Sequence, residues 1–221
     1  MSKIEIRQVS FRYPGSQTPA SALDHIDLSI EEGEFLCLLG PSGCGKSTLL
    51  SLLEGLNRAE SGEIRMDGEQ VNGPGRNRAV VFQHYSLFPW LTARKNVLFG
   101  IEQSGHRHSK AESLKLADEY LAQVGLADAG DRYPAELSGG MQQRVAIARA
   151  LAMEADILLM DEPFGAIDPK LRRELQELVS RLSTEHHKTV VFVTHDINEA
   201  ILLADRIVVM EPKQIRAIEQ V

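Results

Sequence analysis

The sequence predicts an α/β protein: a mostly parallel sheet carrying a phosphate-binding loop, an antiparallel β layer at the N-terminus, and an inserted helical block. Three observations predict it. A strand, a glycine-rich loop and a helix follow one another across residues 34–53. Apolar runs at 79–82, 157–160 and 189–193 each end in a polar side chain. Between residues 92 and 124 the apolar spacing becomes helical, with no strand intervening.

The N-terminal layer comes first. From residue 3 to 13 the apolar residues Ile4, Ile6, Val9, Phe11 and Tyr13 mostly alternate, and Pro14-Gly15 ends the run in a turn. From 23 to 30, Ile26, Leu28 and Ile30 share one face until Glu31-Glu32-Gly33 closes the segment. Both read as half-buried strands. Tyr13 either packs within this layer or offers a flat ring to a nucleotide base, and spacing leaves both readings open.

The phosphate loop follows a buried strand, 34–39, and leads into a helix from Lys46. Gly40, Gly43 and Gly45 allow positive φ, so backbone N–H groups can turn inward toward the positive end of the helix dipole. The spacing from Gly40 through Pro41, Ser42, Gly43, Cys44, Gly45, Lys46, Ser47 and Thr48 is that of the P-loop. In this pattern Lys46 reaches the β- and γ-phosphates and the Ser47 hydroxyl ligates Mg²⁺. The loop predicts nucleotide binding.

Residues 61–68 read as a short strand between glycine turns, and 79–82 as an apolar strand that delivers Gln83 at its end, where ligands of open α/β sheets gather. His84 to Leu91 is strongly aromatic for a chain with 5% aromatic residues, which fits local core, a partner-docking surface, or both. Helices are expected at 92–101 and 110–124, the second opened by a Ser109/Glu112 capping box and burying Leu114, Ala117, Leu121 and Val124. Ser138 then caps a helix beginning with two glycines. Its exposed N–H groups make a second anion-binding helix terminus, although glycines for close packing explain the same residues.

Residues 157–160 form a fully apolar strand ending in Asp161-Glu162. Adjacent residues of an extended chain point to opposite sides, so Asp161 can face Mg²⁺ and Glu162 an attacking water. Asp168-Pro169 opens a helix to about residue 184, and the strand 189–193 presents Thr194-His195 at its end. Residues 206–210 read as the last strand.

Composition excludes several classes. The 221 residues allow one α/β domain with an attached subdomain, and a net charge of −7 without a basic cluster argues against nucleic acid. The first six residues carry alternating charge, and no apolar run approaches 18 residues, so neither a signal peptide nor a span is expected. Cys37 and Cys44 suit a reducing compartment.

With these motifs in order, the chain resembles the nucleotide-binding subunits of ABC (ATP-binding cassette) transporters over essentially its whole length. GPSGCGKST matches Walker A, Gln83 the Q-loop, LSGGMQQR the family signature, ILLMDEP Walker B, GAIDP the D-loop and His195 the switch histidine. The resemblance implies a P-loop NTPase core with the β layer over residues 1–87 and 154–221, and a helical subdomain over 88–153 carrying the signature. It also implies a head-to-tail homodimer with ATP held between one copy's phosphate loop and the other's Ser138, Gly140 and Gln142. Tyr13 falls where such proteins stack adenine. Ser47, Gln83 and Asp161 would hold Mg²⁺, Glu162 would serve as general base, His195 would hold the γ-phosphate, and Asp168 would link the two sites. A thiol reagent is expected to attack Cys44 and block ATP binding.

More narrowly, the segment 87–92 resembles subunits of nitrate, sulfonate and taurine importers. This implies transmembrane permease subunits, a substrate-binding protein, and a peripheral place on the cytoplasmic face of the inner membrane. The alternative is a cytosolic ABC-type ATPase switch not coupled to transport. Such relatives usually carry two cassettes or a long coiled-coil insertion, and 221 residues hold neither.

Overall fold

The computed structural model describes residues 2–14, 21–165 and 169–221. In chain order its elements are β1 (Ser2–Phe11), β2 (Leu23–Glu31), β3 (Phe35–Leu39), α1 (Lys46–Glu54), β4 (Ser61–Met66), β5 (Glu69–Gln70), β6 (Arg78–Val81), α2 (Ala93–Gln103), α3 (Lys110–Gln123), α4 (Gly139–Leu151), β7 (Ile157–Asp161), α5 (Pro169–Glu185), β8 (Thr189–Thr194), α6 (Ile197–Leu203), β9 (Arg206–Glu211) and β10 (Gln214–Gln220). The chain divides into two compact units, Met1–Gly75 with Ser183–Val221, and Arg76–Leu182.

In the first unit the alternation of β1 and β2 becomes an antiparallel sheet ordered β2-β1-β4-β5. Ile4 lies opposite Ile30 and Met66, and Ile6 opposite Leu28 and Ile64, so one apolar row crosses three strands. Cross-strand pairs of this kind fix the register. The apolar runs β3, β8 and β9 pair in parallel with β3 in the middle. Parallel strands are covered on both faces, which is why these sequences do not alternate. The start of β3 is pinned by Asp205, whose carboxylate accepts from Phe35 N at 2.8 Å, and by Arg206 bridging both oxygens of Glu34 at 2.6 and 3.0 Å.

Residues 206–210 are not the last strand. β10 follows and pairs antiparallel with β9. Its residues are mostly exposed, as an edge strand's are, so its short alternation was too weak to separate from an extended tail.

In the second unit β6 and β7 pair in parallel, with Ala79 opposite Leu158 and Val80 opposite Leu159. The capping box of α3 forms as expected: Glu112 N donates to Ser109 Oγ at 3.3 Å and Ser109 N to Glu112 Oε2 at 2.7 Å. Ala117, Leu121 and Val124 are buried, but Leu114 is exposed, because the face α3 buries is narrower than its apolar spacing suggested. α2 and α4 cross in close contact: a Cβ built on Gly100 would lie 2.3 Å from the Arg149 carbonyl oxygen. Among the described residues no helix is long and apolar enough to cross a membrane.

Candidate functional site

The phosphate loop is built as its residue types dictate. Buried β3 hands the chain to Gly40, and Gly43 and Gly45 take φ of +78° and +116°. A side chain at Gly40 would put its Cβ 2.4 Å from the Met210 carbonyl oxygen, and one at Gly45 would stand 2.7 Å from Leu23 Cδ2. Gly45 therefore serves close packing as well as conformation, whereas Gly40, expected to take positive φ, does not and is a glycine for space alone. The N-cap of α1 is Gly45, and no side chain caps it, which leaves that helix terminus suited to an anion. Lys46 is 5% exposed, and its Nζ donates to the carbonyls of Gly40 at 2.7 Å and Pro41 at 3.1 Å. A buried ammonium needs such partners. Its own loop supplies them.

Tyr13 combines its two readings. Its ring stands edge-on to Phe11 at 4.9 Å, its hydroxyl is 3.1 Å from Thr48 Oγ1, and it remains 47% exposed. Packing and an available face coexist, beside the phosphate-loop helix. Cys44 departs from expectation. It is 1% exposed, with its Sγ 2.9 Å from where a Gly40 Cβ would sit, so the thiol faces protein and a reagent cannot reach it without the loop opening. On β3, burial pushes the Cys37 thiol well above its usual range, and Glu199 and Asp205 push it further.

His195 follows the end of β8 and is exposed. Its neighbours hold that backbone: Thr194 Oγ1 donates to buried Glu199 at 2.6 Å and accepts from Asp196 N at 3.0 Å, while Asp196 caps α6 through Asn198 N. Glu199 carried no signal in the sequence, since a glutamate one turn into a helix reads as solvent-facing.

In the second unit Asp161 ends β7 and Glu162 turns away from it with φ +41°. The two carboxylates are separated by a backbone turn rather than by strand alternation. A non-glycine residue in that region costs about 1–3 kcal/mol and persists where its surroundings hold it. Buried Phe164 and a Gly165 N bond to the Glu162 carbonyl at 3.2 Å provide the hold. Gln83 comes to this turn: its Nε2 is 3.4 Å from a Cβ built on Gly165. Asp168 lies outside the described residues.

The signature helix α4 starts as predicted, Ser138 Oγ accepting from Met141 N at 3.3 Å and Gln142 Nε2 donating to the Leu137 carbonyl at 3.1 Å. Its glycines are also packing residues. A Cβ on Gly140 would overlap Leu171 Cδ2 at 2.0 Å, and one on Gly139 would lie 2.8 Å from the Tyr85 hydroxyl oxygen.

The aromatic segment divides. Phe88 is half-buried, with Phe99 at 4.8 Å and Trp90 at 5.6 Å, whereas Trp90 is 70% exposed, so the core reading fails for Trp90. The segment is held by two residues the sequence reading missed. Asn96 is fully buried; its Oδ1 accepts from Phe88 N at 2.8 Å and its Nδ2 donates to the carbonyls of Leu91 and Thr92 at 3.1 and 3.0 Å. Arg149 donates to the Ser86 carbonyl at 2.7 Å and lies 5.6 Å over the Phe88 ring, and burial lowers its pKa from the usual guanidinium value.

An uncapped helix terminus behind positive-φ glycines, a buried lysine inside the loop, and polar side chains at the ends of parallel strands define a P-loop nucleotide-hydrolysing protein. Comparison with known proteins sharpens the class. The model of the ABC transporter family matches residues 23–165. The chain is 50% identical over 212 residues to the taurine import ATP-binding protein TauB of Chromobacterium violaceum, covering 96% of this chain and 80% of that protein. It is 45% identical over 207 residues to the bicarbonate transport ATP-binding protein CmpD of Synechocystis sp., covering 94% and 73%. Among solved structures, the dimeric post-hydrolysis state of the ATP-binding cassette MJ0796 bound to ADP and Pi matches with a TM-score of 0.87 and 36% identity over 98% of both chains. The chain belongs to the ABC transporter family, as an ATP-binding subunit whose reaction is ATP hydrolysis.

Proposed function

We propose that this chain is the ATP-hydrolysing subunit of an importer for a small oxyanion or sulfonate, such as nitrate, taurine or an alkanesulfonate. It would work as a head-to-tail homodimer against transmembrane permease subunits that receive solute from a binding protein. It would sit peripherally on the cytoplasmic face of the inner membrane. The observation that carries the reading is the pair of glycine-opened helix termini in one chain, uncapped at α1 and capped by Ser138 only through Met141 N at α4, so that both keep backbone N–H groups for an anion. One nucleotide does not need both, whereas two copies facing opposite ways use all four in two sites. The relatives named for taurine and bicarbonate support the solute class, one being a sulfonate and the other an oxyanion.

In this reading residues 1–87 and 154–221 form the nucleotide core and 88–153 the helical lobe. The loop from Gly40 to Thr48 cradles the phosphates, Lys46 exchanging its carbonyl partners for phosphate oxygens, and Tyr13 stacks on adenine. The donor set of Ser47 hydroxyl, Gln83 amide and Asp161 carboxylate suits Mg²⁺, which prefers oxygen ligands and takes many of them from phosphates and water. When bound, the ion neutralises charge developing on the phosphates.

Glu162, turned out of the strand, accepts the proton of the attacking water, and His195 holds the γ-phosphate in line. Ser138, Gly140 and Gln142 of the other copy close the site, and Asp168 links the two sites. Positioning and charge supply the rate in phosphoryl transfer. Glu162→Gln tests the scheme: turnover should fall by about 10²–10⁴, the range of general-base catalysis, while magnesium ATP drives the purified variant into a stable dimer on sedimentation. Hydrolysis at the parent rate, or a strictly monomeric variant at saturating nucleotide, would refute it.

A further inference from the structure

His195 takes its place from the residues on either side of it. In the register of the parallel sheet Thr194 lies opposite Leu39, so the strand end that carries His195 stands beside the one that opens into the phosphate loop. β8 ends at Thr194, which leaves His195 beyond the ladder. Side chains take over there. Asp196 N can only donate, and it donates to Thr194 Oγ1 at 3.0 Å, so the hydroxyl must send its own proton elsewhere. It sends it to Glu199 Oε2 at 2.6 Å. A hydroxyl on a carboxylate makes one of the stronger hydrogen bonds, and this one fixes the rotor that holds Asp196. One oxygen thus ties together the residues before and after His195.

Glu199 has no simpler employment. It is 7% exposed, and burying a carboxylate costs stability unless a partner compensates. It is not needed to cap α6, because Asp196 does so through Asn198 N at 2.8 Å. Its charge is also among those that push the Cys37 thiol of β3 up, which places the carboxylate toward the sheet rather than toward solvent.

We infer that Glu199 is a positioning residue for ATP hydrolysis: through the Thr194 hydroxyl it fixes the backbone turn that carries His195 beside the phosphate loop. The inference rests on the reading above that His195 holds the γ-phosphate. Glu199 acts on the nucleotide only through that imidazole. Without the carboxylate the hydroxyl is free to rotate, Asp196 N loses its fixed acceptor, and the turn is no longer held in one conformation.

A double-mutant cycle on the full-length protein tests this, with single-turnover hydrolysis of magnesium ATP for the rate and a fluorescent ATP analogue for binding. Glu199→Met keeps the bulk of the side chain and removes the acceptor, and Thr194→Val removes the hydroxyl. Each should lower the rate at saturating ATP by about 10- to 100-fold, the scale of a 1 Å misplacement of a positioning group. Affinity should stay within about threefold, since the phosphate loop and Tyr13 are untouched. Thr194→Ser, which keeps the hydroxyl, should hydrolyse ATP within about threefold of the parent rate. In a His195→Ala background neither Glu199→Met nor Thr194→Val should slow hydrolysis further, because their effect passes through the missing imidazole. A merely structural Glu199 would lower the melting temperature and add its effect on rate to that of His195→Ala.

Where Glu199→Met does not fold, Thr194→Val decides by the same criteria. Variants that hydrolyse ATP at the parent rate, a Thr194→Ser protein as slow as Thr194→Val, a loss of affinity that matches the loss of rate, or additive effects in the His195→Ala background would each overturn the positioning role. A His195→Ala protein that hydrolyses ATP at the parent rate would overturn the reading of His195 itself, and the inference with it.

Discussion

Replacing Gly40 with alanine separates the packing role of the phosphate loop from its conformational role. The added Cβ would stand 2.4 Å from the Met210 carbonyl oxygen, where ordinary contact begins near 3.4 Å, so the loop or β9 must yield by about 1 Å. The obstructing atom is backbone and cannot swing aside. Overpacking of this kind costs about 1–3 kcal/mol, which in a chain of this size lowers the melting temperature by roughly 2–4 °C per kcal/mol. The functional loss should be larger in proportion, because a 1 Å misplacement of a positioning group costs on the order of 10²-fold.

Gly33→Ala is the control. Its φ of +75° brings a backbone strain that Gly40 lacks, while nothing lies within 4 Å of the new Cβ, and the site is remote from the loop in sequence. It should cost about 1–2 kcal/mol of stability, the left-handed penalty for a non-glycine residue, and leave ATP affinity unchanged. A thermal melt and a titration with a fluorescent ATP analogue measure both quantities on both variants. Gly40→Ala binding nucleotide within twofold of the parent would refute the claim that Met210 sets the cradle's geometry.

Three further outcomes are expected. Cys44 should react with a thiol reagent far more slowly than an exposed cysteine, and ATP should slow it further; labelling at the rate of a free thiol would show that the loop stands open. Trp90→Ala should shift stability by no more than about 0.5 kcal/mol, as exposed substitutions do, while weakening assembly with the membrane subunits in a pull-down; a substantially lowered melting temperature would restore the core reading. Asn96→Ala leaves the amide and carbonyls of the aromatic loop without their buried partner, a loss of about 1–3 kcal/mol or more, and should expose the loop to limited proteolysis; parent-like resistance would mean that Arg149 alone holds it.

The elements whose chemistry is local were legible in the sequence. The strand, glycine loop and helix at 34–54, the capping box of α3 and the Ser138 cap each follow from a few adjacent residues. So did the polar residues delivered by apolar strands, Asp161 among them, because a run such as Ile157–Asp161 has one natural conformation and one functional end. The order of these motifs was enough to place the chain in its family.

Tertiary structure alone decided matters that turn on which distant atoms arrive. Met210 and Leu23 decide that Gly40 and Gly45 must be glycine for space, and Leu171 and Tyr85 do the same for the glycines of the signature. Cys44 looked reactive in the loop and is buried, Leu114 looked buried and is exposed, and β10 had too little pattern to be seen. Asn96 and Arg149 carried no signal, since a polar residue on a helix ordinarily faces water, and only the carbonyls of a loop folded against them make them structural. Periodicity encodes what one segment does with water, and it holds no record of the partner that later replaces that water.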